Sequence, residues 1–307
     1  MTVHEPSWDL YRTFLAVLRE GSLSGAARSL GVAQPTVGRH LDALEQAVGF
    51  QLFTRSRDGL TPTEAASELR PHAEALAATA ASLLRAASGH GSAARGAVRG
   101  TVRVTASEVV GVEVLPPILT GLRREYPELV IELALSNRVE DLLRRDADIA
   151  VRMVRPSQEA LLAKRVCDVV LGLHAHRRYL DRYGVPADLQ DLANHSLIGF
   201  DTETPAIRGM LARAAGIRRA MFALRSDSDL AQLAAIRAGY GIGICQAALA
   251  ARDPDLVRVL PGHFELALDT WLAMHENLRS SRQCRVVFDA LAAGLAEYAQ
   301  IQYGTRP

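Results

Sequence analysis

Residues 22–64 read SLSGAARSLGVAQPTVGRHLDALEQAVGFQLFTRSRDGLTPTE, and this stretch decides the architecture of the chain. Ser24 to Leu30 is a short Ala-rich helix with Ser22 as its cap. Gly31-Val32-Ala33 makes a turn. A second helix starts at Gln34 with Pro35 in its first turn, where a missing N–H costs nothing. Val37, Leu41, Leu44 and Val48 follow at helical spacing, so they share one face. The opposite face carries Gln34, Thr36, Arg39, His40 and Ala43. Gly49 closes the helix at a position that favours a left-handed backbone. Two short helices, a Gly-containing turn and a polar outer face make a helix-turn-helix, whose second helix lies in a DNA major groove.

The flanks extend the pattern. Upstream, Trp8 to Glu20 forms a leading helix with Leu10, Phe14, Val17 and Leu18 inward. Downstream, Phe50 to Thr54 alternates like a short strand, Arg55-Ser56-Arg57 leads into the turn pair Asp58-Gly59, and Leu60-Thr61 returns. This basic wing is placed to touch phosphate or a minor groove. Thr61 reads as the N-cap of the next helix, Pro62 as its first residue and Glu64 as the reciprocal member of a capping box.

With that order in place, the chain resembles the LysR-type transcriptional regulators. The matching residues are Phe14, Gly21-Ser22-Leu23, Ala26-Ala27, Leu30, Gln34-Pro35, Val37, Leu44-Glu45, Gly49, Leu52-Phe53, Arg55, Leu60-Thr61 and Glu64. Two positions depart from the family pattern, each by losing a hydroxyl: Ala33 before Gln34, and Gly38 inside the recognition helix. Gly38 weakens the helix by roughly 1 kcal/mol against Ala. The resemblance implies a double-stranded DNA partner. Gln34, Pro35, Thr36, Gly38, Arg39, His40, Arg55 and Arg57 are the candidate contacts.

Charge gives little bulk attraction to DNA. Of 307 residues, 35 are Lys or Arg and 34 Asp or Glu, for a formal net charge of +1. Residues 1–64 hold six arginines against seven carboxylates. Affinity therefore has to come from local placement of Arg39, Arg55 and Arg57, doubled by dimerisation. Lys164 is the one lysine in the chain. Cys167, Cys245 and Cys284 are odd in number and widely spaced, which suits a reducing cytosol and shows no metal-ligand spacing. No apolar run is long enough for a bilayer and no basic-apolar signal opens the sequence, so the expectation is a cytoplasmic protein without a membrane partner.

Residues 62–88 carry a heptad. Ala66, Ala73, Ala80 and Ala87 recur every seven positions, with Leu69, Leu76 and Leu83 between them. Next to a DNA-binding module (residues 1–64), this stripe reads as a dimerising linker helix. Pro71 should kink or interrupt it. Residues 89–99 have the composition of a hinge.

From residue 100 to 302 strands and helices alternate: strand 102–107, helix 109–126 with a bend near Pro116-Pro117, strand 129–135, helix 139–145, strand 147–152, strand 166–174, helix 226–238, strand 240–244, strand 270–274 and helix 282–299. Such order implies a mostly parallel sheet with helices on both faces. Tyr126-Pro127, Asp148 to Arg152, Ala238 to Gly243 and His275 to Arg279 resemble the effector domain of the same family, which is related in fold to periplasmic solute-binding proteins. The resemblance implies two subdomains, about 100–167 plus 268–300 and about 168–267, with a cleft between them. In open α/β sheets ligands sit beyond the carboxyl ends of strands, where helix N-termini point inward. Ser107, Ser136-Asn137 and Ser226-Asp227-Ser228 are such ends, and Phe200-Asp201 and Gln246 add walls by resemblance. Ser226 with Asp229 also reads as a capping box. Asp201, Glu203 and Asp227 oppose a polyanionic effector while Arg138 and Arg152 favour one, which leaves its charge open.

Other chemistries fail. Gly239-Tyr240-Gly241-Ile242-Gly243 follows a helix and enters a strand, the reverse of a dinucleotide site. His174 and His176 share a strand face without a third ligand, and no Gly-x-Ser-x-Gly elbow is present. The sequence thus points to a regulator that is not an enzyme, carries no cofactor and answers to a small effector. The family implies dimers, pairs of dimers on a bent promoter, and contact with RNA polymerase in an activator.

Overall fold

The computed structural model describes residues 5–56, 59–88, 98–137, 147–156, 161–213 and 217–301. These divide into two compact units, one up to Leu84 and one from Arg85 onward.

The first unit opens with α1 (Trp8–Glu20), α2 (Leu23–Leu30) and α3 (Gln34–Val48). Ser22 caps α2 by accepting from the Gly25 amide at 3.1 Å. Gly49 takes a φ of 86° and ends α3 through its N–H to the Glu45 carbonyl. Phe14, Val17, Ala26, Val37, Leu41, Leu44 and Leu52 fuse the three helices into one core. The wing is an antiparallel hairpin, β1 (Phe53–Ser56) against β2 (Gly59–Pro62), with Ser56 facing Gly59.

The long helix α4 (Glu64–Ser88) departs from expectation in three ways. Its cap is Thr63, whose hydroxyl accepts from the Ala66 amide at 3.2 Å, and not Thr61. Pro62 is still paired with Phe53 in the wing, so the ladder delays the helix start. Pro71 lies inside the element without interrupting it. Ser67, whose carbonyl Pro71 cannot satisfy, is an exposed residue, while Ala66 and Ala73 on either side are buried in the same core. The heptad stripe is also divided. Ala66, Leu69 and Ala73 pack inward on their own unit, whereas Leu76, Leu83 and Leu84 are exposed.

The second unit contains β3 (Gly100–Ala106), a π-helical turn at Val110–Val114, α5 (Leu115–Glu125), β4 (Leu129–Leu135), β5 (Ile149–Arg152) and the long β6 (Leu161–His176). Then come α6 (Arg177–Tyr183), β7 (Leu197–Gly199), α7 (Pro205–Arg213), β8 (Phe222–Arg225), α8 (Asp229–Arg237) and β9 (Gly243–Gln246). The unit closes with α9 (Ala247–Ala250), β10 (Leu256–Val259), β11 (Glu265–His275) and α10 (Arg282–Ile301). The expected helix at 139–145 lies outside the described residues, as does most of the 89–99 hinge.

The sheet is not mostly parallel. β3 pairs in parallel with β4 and β5, but β6 runs antiparallel to β9, β10 and β11, and β11 antiparallel to β5. β11 lies between β5 and β6 and runs against both. One face of this crossing pair serves two cores. On β6, Val169 joins the first core while Leu173 and Ala175 join the second. On β11, Leu272 and Met274 join the first and Leu266 the second. A bulge between Thr270 and Trp271 leaves Val166 as the extra residue of β6. The first core also takes Leu233, Ile236 and Ala248 to Ala250, from the stretch expected in the other subdomain.

Local boundaries moved for identifiable reasons. Pro116 and Pro117 lack amides to continue a ladder, and the Leu115 amide bonds back five residues to Val110, so a π-turn precedes α5 where one bent helix was expected. The strand expected at 240–244 begins at Gly243. The start of α8 is capped by Ser228 and not by Ser226.

Asp148, just before β5, accepts from Arg85 Nε and Nη2 at 2.8 and 3.2 Å and from the Arg103 amide at 2.8 Å, and the Arg85 and Asp148 side chains have little exposure. His174, on the buried part of β6, donates Nδ1–H to the Gly172 carbonyl at 3.0 Å. Burial pushes its pKa down from 6.5 to about 4. Folding therefore favours the neutral ring. Its stabilisation is complete above the unfolded pKa and is lost as pH falls from 6.5 towards 4. Between pH 7.5 and 5 this group should cost about 2 kcal/mol of stability. Urea titrations of wild type and His174→Gln at both pH values check it: the acid-induced loss should shrink by that amount in the variant, and equal losses would remove His174 from the account.

Candidate functional site

The outer face of α3 is open. Gln34, Pro35 and Arg39 are exposed, and Thr36 and Gly38 are half exposed. Arg39 Nη2 donates to Thr36 Oγ1 at 3.4 Å, and Ser24 Oγ donates to Gln34 Oε1 at 3.2 Å, which ties the start of α3 to α2. A Cβ built on Gly38 meets nothing within 4 Å, so the fold itself does not require glycine there. His40 behaves differently from its neighbours. Thr13, almost fully buried, donates its hydroxyl proton to the Asp9 carbonyl at 2.8 Å and so accepts from His40 Nδ1 at 2.9 Å. His40 is a strut between α1 and α3.

Glu45 is the residue whose role the sequence did not show. Its Oε1 accepts from the Leu52 amide at 2.7 Å and the Phe53 amide at 3.3 Å. One residue thus ends α3 with its carbonyl and starts the wing with its carboxylate. The wing is held from the other side too: the Leu60 amide donates to the Gly21 carbonyl at 2.9 Å. Gly59 has a φ of 128°, and a Cβ there would stand 2.7 Å from that same oxygen, so no side chain fits. Arg55 is exposed on β1, and Arg57 lies outside the described residues.

In the second unit the strand ends do converge. Ser107 follows β3 and Ser136-Asn137 follow β4, and the Ser136 amide donates to the Ala106 carbonyl at 3.0 Å. Asn137 Oδ1 accepts from the Glu108 amide at 3.0 Å, while its Nδ2 donates to Asp229 Oδ2, on the first residue of α8, at 3.2 Å. Burial and the nearby Glu108 charge raise the Asp229 pKa. The far end of α8 is fastened as well. Arg237 forms a two-pronged ion pair with Glu113 of the π-turn at 2.7 and 2.9 Å, and that bond holds the Glu113 carboxyl below its ordinary range. Neither Glu108 nor Glu113 carries a sequence signal beyond an ordinary surface acid, and Asp229 reads only as a capping residue.

Asp227 gathers a second cluster. It accepts from the Asp201 and Thr202 amides at 3.0 and 2.8 Å and from the Thr202 hydroxyl at 2.7 Å. Asp201 is in turn paired with Arg219. Half-buried Phe200 precedes this turn, and Ser228 spends its hydroxyl on the α8 cap. Gln246 stands apart: it is buried and its Oε1 accepts from Tyr298 of α10 at 2.6 Å, so it braces the interior instead of forming a wall. Arg152 is also buried, with Nη2 donating to Thr105 Oγ1 at 2.9 Å. Among the described residues no group of three or more His, Cys, Asp or Glu could hold a metal ion, and no helix is long and apolar enough to cross a membrane. Burial pushes the Cys245 thiol up to about 12, which makes it a poor nucleophile.

Residues 8–67 match the model of the bacterial regulatory helix-turn-helix proteins of the lysR family, and residues 95–296 match the LysR substrate binding domain. A probable HTH-type transcriptional regulator, LtrA, of Klebsiella pneumoniae is 25% identical over 288 residues, covering 91% of this chain and 92% of that one. An HTH-type transcriptional regulator of Xanthomonas campestris pv. campestris is 30% identical over 182 residues, covering 59% of this chain and 52% of the relative's length. Among solved structures, the LysR family transcriptional regulator CbnR superposes with a TM-score of 0.66 at 22% identity, over 95% of this chain and 99% of that one. CbnR has also been solved with its target DNA, and that chain gives a TM-score of 0.63 at 22% identity over 96% and 99%.

The seating of the wing is open to test. Glu45→Ala leaves two amides at the start of β1 without their acceptor, and Leu52 is fully buried. The expected cost is about 1–3 kcal/mol. Amide hydrogen exchange over residues 50–56 should accelerate in Glu45→Ala and less in Glu45→Gln. Unchanged exchange in the alanine variant would mean the wing is held by the Gly21 contact alone.

Proposed function

The chain belongs to the LysR family of helix-turn-helix regulators, DNA-binding transcription factors with a substrate-binding domain, and on that premise we propose specific contacts for DNA and for an effector. Gln34, Pro35, Thr36, Gly38 and Arg39 enter a major groove of double-stranded DNA, and Arg55 with Arg57 meets the flanking phosphates. The observation that carries this reading is the open, polar face of α3, held at a fixed angle to the wing by Glu45. His40 supports that face through Thr13 and does not read DNA itself. The space beside Gly38 lets the helix backbone approach DNA closely.

Two copies pair through α4. Leu76, Leu83 and Leu84 are 47%, 68% and 69% exposed, too much apolar surface on one helix for a lone chain in water. A dimer presents two recognition helices to successive major grooves of a pseudo-palindromic site, and pairs of dimers and contact with RNA polymerase extend the same reading. A small-molecule effector lies where Ser107, Ser136 and Asn137 converge on the start of α8, with Phe200, Asp201, Asp227 and Ser228 on the adjoining turn. Because α8 is fastened to the first lobe at both ends, a ligand there either adds to those bonds or competes with them. It shifts the balance of two states only through differential affinity.

Arg39→Ala should weaken binding to a specific site by about 1–3 kcal/mol, the range for a base contact. Gly38→Ala should stabilise α3 by roughly 1 kcal/mol and still weaken the specific complex. Gel-shift titrations on DNA flanking the protein's own gene and on random duplexes read both. Specific affinity unchanged in Arg39→Ala would take that residue out of recognition.

For the effector, a thermal-shift screen of organic acids, amino acids and amines should find a stabiliser, worth about 2.7 kcal/mol at a hundredfold excess over Kd. Ser107→Ala and Ser136→Ala should each reduce the shift while leaving DNA binding without effector intact. Wild-type responses in both variants would place the ligand elsewhere.

A further inference from the structure

A second ligand site is built on a different part of the same unit. Leu162 and Lys164 near the start of β6, Met274 near the end of β11, Arg279 in the following loop, and Arg285 and Phe288 of α10 line a groove of about 750 Å³. None of them belongs to the strand-end set around Ser107 and Ser136. Met274 and Phe288 are largely buried and Leu162 is half buried, so the floor is apolar. The rim is charged: Lys164, Arg279 and Arg285 are exposed, as are Glu276 and Asp289.

What marks the groove, among the described residues, is three cations gathered over one apolar floor without carboxylate partners. Five other arginines of this unit are each neutralised by a carboxylate: Arg103 by Glu132, Arg165 by Asp269, Arg219 by Asp201, Arg237 by Glu113 and Arg258 by Glu265. Among the described residues Lys164, Arg279 and Arg285 make no ion pair, although two carboxylates line the same groove. Three cations against two acids leave one positive charge over an apolar floor. That combination fits a ligand with one negative charge and a hydrophobic body, in a volume typical of small-molecule sites. We propose that this groove binds a small organic anion, such as an aromatic or branched carboxylate, with its apolar part on Met274 and Phe288 and its charge among Lys164, Arg279 and Arg285.

Lys164 supplies its own reporter, because it is the only lysine in the chain and hence the only side-chain amine. Modification of the full-length protein with trinitrobenzenesulfonate, followed at the Lys164 peptide by mass spectrometry, reads occupancy directly. With 3-phenylpropionate as probe, the rate should fall about tenfold at ten times its half-effect concentration. Neutral 3-phenylpropanol and inorganic phosphate should protect little, since each lacks one half of the match. Arg279→Gln with Arg285→Gln should abolish protection while leaving the unprotected rate and the melting temperature unchanged, and Ser107→Ala should retain it. Three results would overturn the proposal: no protection at millimolar probe, equal protection by the alcohol, or protection lost in Ser107→Ala. A Lys164 rate that falls with protein concentration alone would also overturn it, since a second copy would then cover the groove.

Discussion

From Gly172 opposite Glu265 to Leu161 opposite His275, β6 and β11 are hydrogen-bonded along most of their length, and both cores of the second unit hang on that ladder. Period-two geometry makes the arrangement possible. Val169, Leu173 and Ala175 project from the same side of β6, yet the first lies in one core and the others in the next. A one-residue slip along the ladder would turn apolar side chains of both cores towards the other face. The bulge at Val166 accommodates one extra residue at a single place, so the ladder on either side can keep its own register. The strand-end site, Asp148 with its buried arginine and the charged groove are all placed by strands in this sheet.

The helix-turn-helix was legible residue by residue because its determinants are local. Ser22 caps three residues on, Gly49 closes a helix four residues back, and the apolar spacing of α3 needs no knowledge of what it packs against. Elsewhere the cap lies two residues beyond the one the sequence suggests. Thr61 reads as the cap of the next helix, but pairing of Pro62 with Phe53 keeps the chain in the wing and gives the role to Thr63. Ser226 and Ser228 both precede α8. The former takes the Ser228 amide and the latter caps the helix.

Strand positions in the second unit were largely visible, whereas their partners were not. Alternation tells which face a residue takes but says nothing of which strand lies alongside or in which direction. That is why a chain of alternating strands and helices suggests parallel pairing, whereas β6 and β11 pair antiparallel. The functional residues divide in the same way. Arg39 follows from its helix face. The binding of His40 by Thr13 spans 27 positions, and that of Gln246 by Tyr298 spans 52, and neither distance leaves a mark in the sequence. Glu45 is an intermediate case: it was visible as part of a motif, but its reason lies in two amides across a turn.

The solitary lysine has a consequence of another kind. Lys164 sits inside β6, paired with Leu272 of β11, so the peptide bond that follows it is locked in the ladder. A protease that cuts only after lysine therefore has a single target in the whole chain, and it lies in the segment that joins the two cores. An extended, unpaired substrate is needed for cleavage, so the native ladder resists and an opened one is cut. When opening and closing are fast relative to cutting, the clipping rate measures the free energy of opening that ladder. The chain thus carries a built-in proteolytic gauge of its most consequential joint, one that mutation of surface arginines elsewhere leaves unaltered.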